Sequence, residues 1–196
     1  MGLELQLDIG GFKKAIEKVP GELYNQSKSA MNRIGDYYIR KLTVEHLSGH
    51  GSNSLARRSS ALSRSFNKYT DGSTIDDLAL TIYTDSKYAR IHEFGGTIRP
   101  RKGKYLAIPL DAAKTGAGVS RMSSPRNVAG LNYGGRSKAG NIILRDESGT
   151  PMFVLVRQVE IPPRLSMFKT WAEITPVIEG MLNSAIDKAL SNAVKE

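Results

Sequence analysis

Histidine and carboxylate neighbours are the first place to look for chemistry, and His92 with Glu93 opens an H-E pair in the string HEFGG. A zinc-hydrolase helix of the H-E-x-x-H type needs a second imidazole one turn on, and position 96 is glycine. His46 and His50 do stand four apart, but Ser48 and Gly49 predict a helix end between them and no third ligand is near in sequence. Asp76 and Asp77 adjoin the turn-forming string DGST and are read as turn residues rather than an acid/base pair. No serine sits in G-x-S-x-G, no phosphate-cradling G-x-x-x-x-G-K-[ST] occurs, and the glycines near 130–140 do not follow a strand as a dinucleotide loop requires. The chain has no cysteine, which excludes disulfides, thiolate metal sites and a cysteine nucleophile. The residues predict no enzyme, no metal and no cofactor.

Charge offers more. Arg99, Arg101, Lys102 and Lys104 crowd the turn around Pro100 and Gly103, and Arg121, Arg126, Arg136 and Lys138 follow in a glycine-rich stretch. A dense cluster of one sign is either a solvated face or a surface that meets an anion, through phosphate contacts or as a positively charged channel wall. The formal net charge is +9, and its excess falls in the middle of the chain, five over residues 49–110 and three over 111–150. That asymmetry points to an anionic partner, nucleic acid first. Only Tyr105 and Tyr133 interleave with these cations, so stacking on single-strand bases is disfavoured and a sequence-independent attraction to the backbone is expected.

The elements that must hold these residues follow from periodicity. Leu3, Leu5 and Leu7 alternate with polar residues as in a half-buried strand. Phe12, Ala15, Ile16 and Val19 keep helical spacing up to Pro20, where a break is predicted. From Leu23 through Ala30, Met31, Ile34, Tyr38 and Leu42 the helical period continues to about Ser48. Residues 55–69 read as a weak basic helix, 78–84 as a strand, 88–94 as a short helix closed by Gly95 and Gly96, and 105–108 as a strand buried on both faces. Tyr88, Ile91 and Phe94 are expected to form that short helix's apolar side, with Phe94 in the core. Residues 111–150 hold seven glycines and are read as a long inserted loop, with a short strand at 142–144 near its end. Residues 152–161 form the most strand-like segment. Met167, Phe168, Trp171 and Ile174 give one helical stripe, with Phe168 and Trp171 read as core, and Thr175-Pro176 starts a second helix. The sum is one α+β domain over residues 1–196, a mainly antiparallel four-stranded sheet packed against long helices, with a glycine-rich basic excursion at about 111–150.

No apolar run approaches the roughly 20 residues that span a bilayer, and the acidic N-terminus is unlike a secretory signal, so a soluble chain with no membrane partner, made in the cytoplasm, is expected.

Two strings carry a resemblance. Tyr88, Ala89, Ile91, His92, Glu93, Phe94, Gly95 and Gly96, followed by a basic segment, and the later Ile161, Pro162 and Arg164 of IPPR, flanked by helices, resemble the tail-completion and virion-morphogenesis proteins of tailed bacteriophages. The resemblance implies a structural neck or tail component that assembles as a ring, six subunits being the family's size, with other neck and tail proteins as partners and double-stranded DNA passing through. It implies that both strings are structural, the first shaping a turn and the second orienting the C-terminal helices. A head–tail connector or tail terminator of the same particle is the nearest alternative. A basic, non-specific DNA-binding protein outside any virion is an alternative of another class, and a small hydrolase without a recognisable motif is a third.

Overall fold

Helical spacing in the first 48 residues becomes a single helix, α1, over Gly10–His46. The computed structural model describes residues 10–49, 54–56 and 60–195. The strand expected at Leu3, Leu5 and Leu7, and His50, lie outside the described residues. Pro20 does not break α1: the cost of a helix-interior proline, roughly 3 kcal/mol, is confined to one turn, and the long runs on either side keep the helix in phase. The buried stripe is Ala30, Ile34, Tyr38 and Leu42, the spacing that the sequence shows.

The contacts divide the chain into two compact units, one of Met1–Val44, Ser65–Asp85 and Met167–Glu196, the other of Glu45–Arg64 and Ser86–Ser166.

In the first unit α1 lies antiparallel to α4, Met167–Lys195. Tyr38 Oη donates to the Met167 carbonyl at 3.0 Å, its ring meets Trp171 edge-on at 5.5 Å, and Asn192 reaches Glu22 at the far end. The helix expected to restart at Thr175-Pro176 is instead continuous through Pro176. Its buried track is Thr170, Ile174, Ala185, Ala189 and Ala193, so the small residues face inward. Phe168 is 69% exposed and Trp171 40%, against the expectation of core. Alanines at a four-residue spacing let a neighbouring backbone come close, which leaves the bulky residues at the margin of the packed face.

The weak helix expected at 55–69 shrinks to α2, Ala61–Arg64, and the residues after it form β1, Phe66–Asp71, paired antiparallel with β2, Ala79–Thr84. Phe66, Lys68 and Thr70 are the covered side of β1. This period of two is masked in the sequence because lysine and threonine occupy inward positions. Lys68 Nζ bonds the Asn32 carbonyl and pairs with Asp36 Oδ2 at 2.9 Å, and its stem crosses α1 at Gly35, where a Cβ would stand 2.5 Å from Lys68 Cδ.

The second unit carries α3 (Ala89–Phe94), β3 (Gly96–Ile98), β4 (Leu106–Pro109), β5 (Asn132–Arg136), β6 (Ile142–Arg145), β7 (Pro151–Val156) and β8 (Val159–Ile161). Its antiparallel sheet runs β4-β7-β6-β5, and β3 pairs separately with β8. Four strands were expected and four form a sheet, but two of them lie in the stretch read as an inserted loop: β6, where a short strand was expected at 142–144, and β5, which was not expected. The protein is α+β, with two long helices packed together, a four-stranded antiparallel sheet and small two-stranded sheets. β5 escapes a hydrophobicity reading because NYGGR offers almost no apolar face; a bulge at Gly134-Gly135 accommodates the Arg145 side chain, which donates from Nε to the Gly134 carbonyl. The segment read as a single strand at 152–161 is two, because Arg157-Gln158 leaves one sheet and β8 joins another.

Candidate functional site

The two strings that carry the family resemblance meet in the second unit. Gly96 of β3 is the register partner of Ile161 in β8. The His92 carbonyl, at the open end of α3, accepts the N–H of Arg164 at 2.7 Å and of Leu165 at 2.8 Å. These satisfy an orphan carbonyl of the kind every helix end exposes. Gly95 closes α3 at φ 69°, ψ −174°, a region open to glycine rather than the left-handed helical cap that the sequence suggests. A Cβ there would stand 2.9 Å from the Ile161 oxygen and 3.0 Å from Pro163 Cδ. The glycine is set by close approach of the second string.

The aromatic side expected on α3 is not buried. Phe94 is 65% exposed and Tyr88 57%, while Ala89 is buried and Ile91, His92 and Glu93 are half-buried. A helix of six residues has under two turns, so its covered sector is set by the chain docked on it, and both aromatics stand at its ends. A cleft of about 470 Å³ opens beside it, walled by Leu47, Leu55, Leu62, Tyr88, His92, Ile161, Pro162 and Arg164. His92 Nδ1 is buried with no hydrogen-bond partner among the described residues, and burial followed by the nearby Arg164 charge holds the imidazole below its ordinary pKa. Among the described residues no group of three or more His, Asp or Glu is placed to hold a metal.

The basic residues are sorted by the sheet. Ala107, Leu155, Ile142 and Arg136 form one row across β4, β7, β6 and β5. Beyond that row, at one sheet end, lie residues 99–105, 137–141 and 156–158. This brings Arg99, Arg101, Lys102 and Lys104 to the same end as Arg136 and Lys138, with Arg157 between them. Arg99 Nε donates to Gln158 Oε1 at 3.3 Å, fixing the turn's start to the β7–β8 link. Arg121 is held elsewhere: its N–H bonds the Ala113 carbonyl, past the opposite end of β4, and its Nε bonds the Lys114 carbonyl. Arg126 lies in the short 3-10 turn Pro125–Asn127 capped by Ser124. The eight cations read together in the sequence are thus not one surface. Arg157 went unread because it looked like part of a continuous strand; the polar pair Arg157-Gln158 within MFVLVRQVEI is the signal for a strand break there.

Comparison of the chain with protein-family models, with curated proteins and with solved structures found no match. No helix among the described residues is long and apolar enough to cross a membrane.

Proposed function

We propose that the protein is a non-enzymatic structural component of a tailed-phage virion, completing the head-proximal end of the tail or the neck as a ring around the DNA path, with six copies and other neck and tail proteins as neighbours. The observation that carries this reading is the junction of residues 88–96 with 161–165: the two strings that resemble the tail-completion family, distant in sequence, are joined by backbone hydrogen bonds to the His92 carbonyl and by the pairing of Gly96 with Ile161, with Gly95 in close approach to Ile161 and Pro163.

In a closed ring each subunit repeats its surfaces by rotation, so a basic patch on one copy becomes a basic belt. Such a belt would hold passing DNA without reading it. A connector or terminator role in the same particle differs in whether the ring meets the portal or the tail tube. The mass of the purified protein in solution, measured by light scattering with and without isolated tails, tests the proposal. A ring, alone or on tails, is expected. A monomer that ignores tails yet binds free DNA would overturn it in favour of a basic DNA-binding protein outside the virion.

A further inference from the structure

Seven cations, Arg99, Arg101, Lys102, Lys104, Arg136, Lys138 and Arg157, occupy residues 99–105, 136–142 and 156–158, and those three segments contain no Asp or Glu. All seven side chains are exposed, and among the described residues none has a salt-bridge partner. The β3–β8 and β4–β7 pairings place seven residues, 99–105, opposite only Arg157 and Gln158. The basic turn is therefore a bulge thrown out from an otherwise paired antiparallel ribbon, beside a groove of about 460 Å³ that Arg136, Arg157, Tyr105 and Asn141 line.

From this geometry we infer that the end of the sheet is a binding site for the sugar-phosphate backbone of duplex DNA, with Arg136 and Arg157 in the groove and Lys104 and Lys138 at strand ends beside it. Guanidinium forks match phosphate oxygens in pairs. Among the described residues Tyr105 is the one aromatic that lines the groove, too few for a ladder of stacked bases, so a duplex is favoured over a single strand. An acidic protein partner would call for a central apolar anchor, and Ile142, Leu155 and Val156 are half-buried within the sheet. The site excludes Arg121 and Arg126, and it adds Arg157.

This deepens the reading of a protein on a DNA path, and the two fail separately: a ring on tails with no duplex binding sinks the groove alone, and duplex binding without a ring sinks the ring alone. The test is fluorescence-anisotropy titration of the full chain with a labelled duplex of mixed sequence over a range of salt. Each lost phosphate contact makes the log–log salt slope shallower by about 0.9. Lys104→Gln/Lys138→Gln/Arg157→Gln, side chains with no internal hydrogen bond among the described residues, should keep the melting temperature and lower the slope by about 2 to 3, with a second duplex sequence affected equally. Arg121→Gln/Arg126→Gln should leave the slope unchanged. Equal losses in both variants would mean diffuse net charge and overturn the site, as would binding to polyglutamate but not to the duplex.

Discussion

The carbonyl of His92 accepts the N–H of Arg164 at 2.7 Å, and this bond ties the short helix α3 to the segment entering the C-terminal helix. Around it, Gly95 and Ile161 approach too closely for any side chain. The junction is thus built from backbone, and its integrity depends on glycine more than on the aromatics beside it.

Gly95→Ala should lower stability by about 1 to 3 kcal/mol, since alanine would be strained at φ 69° and its methyl would meet the Ile161 oxygen. Gly180→Ala is the internal contrast. It lies in α4 with nothing within 4 Å of a Cβ, and it should gain roughly 0.5 to 1 kcal/mol from reduced chain entropy. Urea denaturation of the two variants checks both signs, and a Gly95→Ala variant as stable as the parent would contradict the close approach.

Much of the fold is legible wherever one physical rule dominates. The α1 stripe through Ala30, Ile34, Tyr38 and Leu42 and the strand at β2 follow apolar periodicity alone. Where packing overrides periodicity, the sequence misleads. Inward Lys68 hides β1, a glycine bulge hides β5, and Ala185, Ala189 and Ala193 take the buried face of α4 from larger neighbours. The basic turn at 99–104 is plain from composition. That it shares a sheet end with Arg136 and Lys138 is not, because strand order decides it and β5 is invisible to hydrophobicity.

Phe94 and Phe153 separate exposure from residue type. Phe153, in β7, is 2% exposed, and Phe153→Ala should cost about 3 to 5 kcal/mol. Phe94→Ala removes a ring that is 65% exposed, and the cost should stay within about 1 kcal/mol. If the ring docks on a neighbouring copy, the loss appears instead in the mass of the assembly. Chemical denaturation of both variants distinguishes the cases, and similar large losses would place Phe94 in a core after all.

His92 sets a pH dependence. Its pKa in the folded chain is held below the ordinary histidine value of 6.5, first by burial and then by Arg164. The unfolded chain therefore takes up the proton first, so stability is complete above pH 6.5 and declines as pH falls from there toward the folded pKa. Melting curves between pH 8 and 5.5 should show this decline, and His92→Gln should flatten it. A parent slope retained in the variant would assign the dependence to another group.

Asp77 holds the β1–β2 turn. Its carboxylate accepts the N–H and hydroxyl of Thr74, both at 2.7 Å, and the N–H of Ser73, and these bonds lower its pKa to about 2. Depression of a carboxyl means that the contribution to stability is present above the unfolded value of 3.8 and is lost as pH falls toward 2. Carbon-detected NMR of the side-chain carboxyl should titrate near 2, well below the ordinary value of 3.8. Asp77→Ala should loosen the turn, seen as faster amide exchange at Ser73 and Thr74 while the β4-β7-β6-β5 sheet keeps its protection. An ordinary titration near 4 would show that these three contacts do not persist in solution, and the hairpin would then depend on its ties to α1, Lys68 on Asn32 and Asp36 and the Tyr24 hydroxyl donating to the Gly72 carbonyl at 2.9 Å.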